Sequence, residues 1–326
     1  MNPLLAVITA ILLFFPSLSF AQTKEIISEG TYNMGDGETP SVAESRALLK
    51  AKQIAVEQAG TYVESYSKVK NITLTQDEIQ VLASGLMEVE ILDKKRTVVG
   101  DGINFWVKIK AKVNPDKMEE MAKRVKEKSV VEDYKRIQDA FGKSQKEIEE
   151  LKKQLVDAQN AEAKKIANKM ADEERLFQAN EWFEKGRQYD LNRQYYKAID
   201  AFTNAIALDN NFSIAFFRRG SIYLWIEQFD KAIIDLTNAI TLNPGDYNAY
   251  SNRGVAYDLK GDPEKAIKDF TAAIAREGSV PGIYRMRGNN YLASGQKKKA
   301  VSDFRKSCDM GDENGCALLV KTLKKN

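Results

Sequence analysis

The sequence predicts a multidomain chain: a small α/β (α+β) domain, a long charged helical spacer that is a candidate coiled coil, and an all-α superhelix of repeated helical hairpins. Three observations predict it. "INFWVKIKAKV" at 103–113 alternates apolar and polar residues without a break. Residues 116–177 carry abundant Lys and Glu, no proline and one glycine. From Ala179 onward, apolar and small residues recur every 34 positions, and a period of that length marks a stacked-repeat architecture.

Composition narrows the chemistry before any motif is read. The chain has 326 residues, with 49 Lys plus Arg against 46 Asp plus Glu. So small an imbalance gives no electrostatic footprint for nucleic acid. Histidine is absent, which removes imidazole acid–base chemistry, Ser-His-Asp and Cys-His nucleophile pairs, and most zinc or iron ligand sets. No cofactor and no metal site is expected.

The N-terminus has an uncharged apolar run from Pro3 to Phe15, then Pro16 and Ser19-Phe20-Ala21. This is the pattern of a secretory signal peptide over residues 1–21. An uncleaved anchor is the competing reading, but the run is shorter than the roughly 20 residues a spanning helix needs. A mature chain in the periplasm or cell envelope is expected, without a membrane span, in an oxidising compartment.

Residues 22–114 read as strand, helix, helix, strand, strand. Ile103, Phe105, Val107, Ile109, Ala111 and Val113 share one face of the last strand, and the alternate residues share the wet face. Asp101-Gly102 marks the hairpin turn before it. The long helix is expected to start near Thr39-Pro40, with Ser41 and Glu44 spaced for a capping box. Ala43, Ala47, Ala51 and Ala55 form a small-residue stripe that lets a helix lie close on a sheet. The glycines of "MGDGETP" lack a phosphate-loop pattern and read as a turn. The Ala-rich helix, the "SGL" before a strand and the closing "INFWVKIKAKV" resemble the N-terminal domain of the flagellar assembly protein T family and small envelope lipoproteins. That resemblance implies an envelope module engaged in assembly. No cysteine follows the expected cleavage point to carry a lipid.

In the spacer, 115–177, Tyr134, Ile137, Phe141, Ile148, Leu151, Leu155 and Ala158 follow a heptad seam interrupted at Ser144. The seam then slips to Ile166, Met170 and Phe177, as a stutter would make it. A homodimer through this helix and a solitary solvated helix are both open readings.

Residues 178–314 hold four repeats: 179–212, 213–246, 247–280 and 281–314. Position eight is Gly186, Gly220, Gly254 and Gly288; position twenty is Ala198, Ala232, Ala266 and Ala300. Position twenty-four is Phe202, Leu236, Phe270 and Phe304. Small residues belong where two helices cross closely, and large ones fill the layer between hairpins. The pattern resembles the tetratricopeptide repeat (TPR) family. The resemblance implies a superhelix whose first helices line a groove for an extended peptide or partner helix. The family's groove positions carry over to Phe183, Arg187, Phe217, Arg218, Ser221 and Trp225 as an apolar end with flanking polar groups. Asn248, Asn252, Arg285 and Asn289 form the polar end.

The two cysteines, Cys308 and Cys316, fall at position twenty-eight of the fourth repeat and at the start of a capping helix over 315–326. A stapling disulfide and two buried thiols are the competing readings. The spacing resembles Sel1-like repeats, in which two such cysteines bridge helices, and that resemblance implies the disulfide. The expected function is a non-enzymatic interaction scaffold whose groove binds a protein partner. The alternative is a structural part of an envelope assembly, with the first domain making the main contacts.

Overall fold

A computed structural model describes residues 23–35, 37–100, 102–126, 128–158 and 161–324. The expected signal peptide and Asp101 lie outside the described residues. Strand β1 (Lys24–Met34) is followed by helices α1 (Pro40–Val69) and α2 (Gln76–Leu86), then by β2 (Met87–Val99) and β3 (Gly102–Val113). The three strands form one antiparallel sheet in the order β1-β3-β2.

Alternation in β3 is realised from Phe105 to Val113, while Ile103 at the hairpin end is half-exposed. Phe105, Val107, Ile109, Ala111 and Val113 are buried, while Asn104, Trp106, Lys108, Lys110 and Lys112 are half-exposed. The four stripe alanines of α1 are fully buried. The approach is so close that a Cβ on Gly30 of β1 would stand 2.1 Å from the Ala47 carbonyl oxygen. Ser28 ties the layers further by donating its hydroxyl to the Ala51 carbonyl at 2.9 Å.

Two local expectations are corrected. Pro40 is the first helical residue of α1, so Thr39 is the cap and the Ser41–Glu44 box does not form. Glu44 instead pairs with Lys94 and Arg96 on β2, and the Thr39 N–H donates to Glu174 at 2.7 Å. A capping box forms instead at Thr75–Glu78, opening α2. At the β-hairpin, Gly100 among the described residues is left-handed, with φ 60°, and Gly102 already belongs to β3.

A short 3-10 turn (Pro115–Lys117) leads through α3 (Met118–Arg124) to α4 (Lys128–Asp157) and α5 (Ala161–Leu191). These residues were read as a spacer, yet they pack as a hairpin within the chain. Ile148 and Leu151 of α4 bury against Ile166 and Met170 of α5. Phe141 meets Phe177 with ring centroids 5.2 Å apart. The heptad seam is therefore consumed inside one chain, which corrects its reading as a dimer interface. Helix α5 also runs unbroken through residues 177 and 178, so the spacer ends inside the first helix of the repeats.

The hairpin is locked to the sheet through Glu38, which the glycine turn delivers. Its buried carboxylate accepts from the Tyr32 hydroxyl at 2.7 Å and the Gly35 N–H at 2.9 Å. Lys152 of α4 pairs with it at 2.7 Å and Arg46 of α1 at 3.8 Å. The Arg46 guanidinium in turn stands 4.5 Å from the centroid of the Phe177 ring.

The repeats continue as α6 (Tyr195–Leu208), α7 (Ser213–Trp225), α8 (Phe229–Leu242), α9 (Tyr247–Leu259), α10 (Pro263–Arg276), α11 (Pro281–Ala293) and α12 (Lys297–Asp309). Helix α13 (Glu313–Lys324) closes the stack against α12 and α11. At the hairpin crossings, Gly186, Gly254 and Gly288 face Phe202, Phe270 and Phe304. Gly220 faces Leu236. A Cβ at any of the four would come within 2.6 to 3.0 Å of the facing side chain. No described helix is long and apolar enough to cross a membrane.

Candidate partner-binding groove

The first helices of successive repeats approach one another, α7 with α9, α9 with α11, and α11 with α13. They therefore line the inner side of the curve, where a superhelix of hairpins presents its groove.

The structure separates the ten groove residues into three groups. Those of the first repeat are enclosed. Phe183 is fully buried, its ring 5.2 Å from those of Phe202 and Phe212. Arg187 is also buried. It pairs with Glu184 at 2.6 Å, donates to the Ser84 hydroxyl of α2 at 2.8 Å and lies 4.9 Å from the Tyr134 ring centroid. Leu191, further along the same helix, joins the core of the sheet domain. Arg124 of α3 donates to the Asp190 carbonyl at 2.8 Å. The sheet domain and α4 thus cover the groove positions of repeat one, which corrects their reading as open ligand contacts.

The second group is held by contacts within the chain. Phe217 is buried. Arg218 pairs with Asp133 of α4; burial pushes the Asp133 carboxyl above its ordinary range, with the Arg218 charge opposing. Arg285, read as part of the polar end of the groove, pairs with Asp312 at 2.8 Å in the turn before α13.

The third group remains available. Trp225 is 76% exposed. Asn252 donates to the Ser221 hydroxyl at 2.9 Å, linking neighbouring first helices while both residues stay half-exposed. Asn248 is half-exposed and Asn289 exposed. Leu259, one repeat beyond Trp225 at the same position, is 58% exposed. The open surface is therefore the part of the inner face of repeats two to four that carries Ser221, Trp225, Asn248, Asn252, Leu259 and Asn289.

Sequence reasoning missed the ladder that holds this face in place. Arg219, Arg253 and Arg287 each grip Asp235, Asp269 and Asp303 respectively through two hydrogen bonds of 2.7 to 2.8 Å. Each also donates to a threonine of the preceding repeat, Thr203, Thr237 or Thr271, at 2.9 to 3.0 Å. Bidentate guanidinium–carboxylate pairs are directional, so the ladder fixes both the hairpin and its stacking. Its hydrogen bond to Asp269, with burial opposing, holds the Arg253 guanidinium above the usual arginine range. The signal was present as three arginines and three aspartates on the 34-residue period. Repeat one carries Lys185 and Ala201 there and is held by the sheet domain instead. Of the two residues that close the first part of the groove, Tyr134 carried no signal beyond its place on the heptad seam and Asp133 carried none.

Cys308 and Cys316 stand at disulfide distance, with Cα atoms 4.5 Å apart. They join the end of α12 to the first turn of α13, beside the Arg285–Asp312 pair.

Tetratricopeptide repeat models match residues 214–246 and 247–279. No curated protein matches the chain. Among solved structures, the chain is similar to a crystal structure of MamA at 23% identity, covering 48% of this chain and 98% of that one, with a TM-score of 0.40. YrrB, described as a TPR protein with an unusual peptide-binding site, aligns at 22% identity over 48% of this chain and 81% of its own, with a TM-score of 0.41. The Arabidopsis OM64 TPR domain aligns at 23% identity over 36% of this chain and 98% of its own, with a TM-score of 0.36. With the repeat models matched and the hairpin geometry in register, α7–α8 and α9–α10 are tetratricopeptide repeats.

Proposed function

We propose that the chain is a non-enzymatic, periplasmic protein–protein interaction adaptor that holds an extended peptide or helix on the inner face of repeats two to four. One observation carries this reading: Trp225, 76% exposed on the inner helix row, stands on the same face as half-exposed Ser221, Asn248 and Asn252. A large exposed aromatic gives a partner apolar area, and asparagine amides give its backbone donors and acceptors. The leader-like N-terminus and the paired cysteines support an envelope location.

Crosslinking capture by the full-length chain from an envelope extract of its host tests the reading. A defined protein retained by the native chain and lost with both Trp225→Ala and Asn289→Lys supports it. Retention by both variants, with unchanged circular dichroism, overturns it.

A second reading, a structural part of an envelope assembly, is favoured by β2. This edge strand is exposed along nearly its whole length, with Val98 and Val99 bare at its tip. An open edge is a template for another strand, and here the charges of Asp93 to Arg96 leave only the apolar tip at Val98 and Val99 unguarded. Capture that survives Trp225→Ala but is lost with Val98→Lys would favour that role, which the flagellar assembly protein T resemblance also suggests.

A further inference from the structure

A cleft of about 360 Å³ lies where α1 and α2 of the sheet domain meet α4 and α5. That volume lies within the range of small-molecule sites, which gather where separate bodies meet. Apolar Leu49 and Val56 form part of the wall, and the amides of Gln53, Gln80 and Gln138 face the same space. None of these three amides is hydrogen-bonded to another described residue.

The charges lining the cleft are unbalanced in a specific way. Arg187 cancels Glu184, to which it is paired at 2.6 Å. Glu181 and Glu184 of α5 both favour the charged form of Lys52, and Lys185 opposes them. Two opposite charges of the cleft nevertheless have no direct ion-pair partner. Lys52 and Glu57 both line the cleft, and among the described residues neither forms an ion pair, with each other or with a third group. They sit five residues apart on α1, a rise of about 7.5 Å. Burial, the largest effect, pushes the Lys52 ammonium below the ordinary lysine range despite the opposing pull of Glu181. Both Glu184 and Glu57 add to the burial that pushes the Tyr134 phenol up to about 12.

An unpaired, partly desolvated ammonium is costly unless an anion reaches it, and a mixed wall of amides and apolar carbons orients a small polar ligand. We propose that this cleft binds a small zwitterion of the amino-acid class, with its carboxylate at Lys52 and its ammonium at Glu57. The glutamine amides take its remaining polar groups, and Leu49 and Val56 take its carbon skeleton. Because the ligand would touch α1, α2, α4 and α5 together, its binding would stiffen the junction between the sheet domain and the first repeat.

The test is a thermal-shift series on the full chain with each free amino acid at millimolar concentration, followed by calorimetric titration of any that bind. Matched N-acetyl and C-terminal amide derivatives remove one ligand charge each. The expected result is binding of at least one free amino acid, weakened about tenfold or more in each blocked form. Lys52→Met and Glu57→Gln should each abolish binding while the ligand-free melting temperature stays unchanged. Absence of binding by every free amino acid overturns the proposal, as does equal binding by the blocked forms. If Lys52→Met lowers the ligand-free melting temperature, Glu57→Gln alone decides: unchanged affinity in that variant also overturns it.

Discussion

Replacing Gly30 with alanine asks whether α1 lies as close to the sheet as its alanine stripe implies. The added Cβ would stand 2.1 Å from the Ala47 carbonyl oxygen and 2.5 Å from the Ala51 nitrogen. A carbon normally sits about 3.3–3.6 Å from a carbonyl oxygen, so helix and strand must part by more than about 1 Å. Both obstacles are backbone atoms, and no side chain can swing aside to relieve them. A gap of about 0.5–1 Å already forfeits roughly a quarter to a half of each dispersion contact. The fully buried Ala43, Ala47, Ala51 and Ala55 would feel it together. Losing the Ser28–Ala51 hydrogen bond adds about 1 kcal/mol. The expected cost is about 3–4 kcal/mol, above the usual overpacking range. Gly142→Ala is the internal control. That glycine lies inside α4 with nothing within 4 Å of the added Cβ, so alanine should stabilise by about 0.5–1 kcal/mol through helix propensity. Urea unfolding measures both, and hydrogen exchange across α1 localises the loss. If Gly30→Ala costs less than about 1 kcal/mol, the close approach of α1 is wrong.

Three further outcomes follow from the repeat half. Asp269→Ala strands Arg253, whose side chain is only 17% exposed, and should cost about 2–3 kcal/mol. Arg253→Met with Asp269→Leu should recover much of that, and additive losses in the double-mutant cycle would count against a coupled pair. Reducing a Cys308–Cys316 disulfide opens a loop with a sequence separation of 8 and should cost about 2–3 kcal/mol in the chain-entropy model. A melt unmoved by reductant would count against the staple. Asp312 is held below its ordinary pKa of 3.8 by hydrogen bonds from Ser307 and Arg285, against the opposing effect of burial. Its contribution is therefore present above about pH 4 and lost as pH falls through the lowered folded value. Exchange of α13 amides should rise over that window in the native chain and lose that pH dependence in Asp312→Asn.

How much of this was legible beforehand depends on the range of the interaction. The alternation of β3 and the stripe of α1 follow from side-chain periods of 2 and 3.6 residues, and both stand in the structure, the alternation from Phe105 onward. The hairpins follow because Gly186, Gly254 and Gly288 must meet Phe202, Phe270 and Phe304 at a fixed offset within one repeat. The Arg–Asp ladder was equally periodic, but its two positions are charged in repeats two to four and lie outside both the small and apolar packing positions and the groove positions. The capping error at Ser41 was local as well: Pro40 pre-sets the first helical residue and moves the cap to Thr39.

The site was less legible because its composition depends on contacts far apart in sequence. Arg187 reaches Ser84 across 103 residues, and Arg218 reaches Asp133 across 85. The first needs α2 packed on α5 and the second needs α4 folded back along α5, and a heptad seam serves that hairpin as well as it serves a dimer. Sequence alone therefore determined the repeating unit, the strand faces and the chemistry excluded by the absence of histidine. Only the tertiary structure decided that the sheet domain and α4 cover the first repeat, because burial of a side chain belongs to the whole arrangement of the chain around it. By the same packing, part of the inner face of repeats two to four stays open.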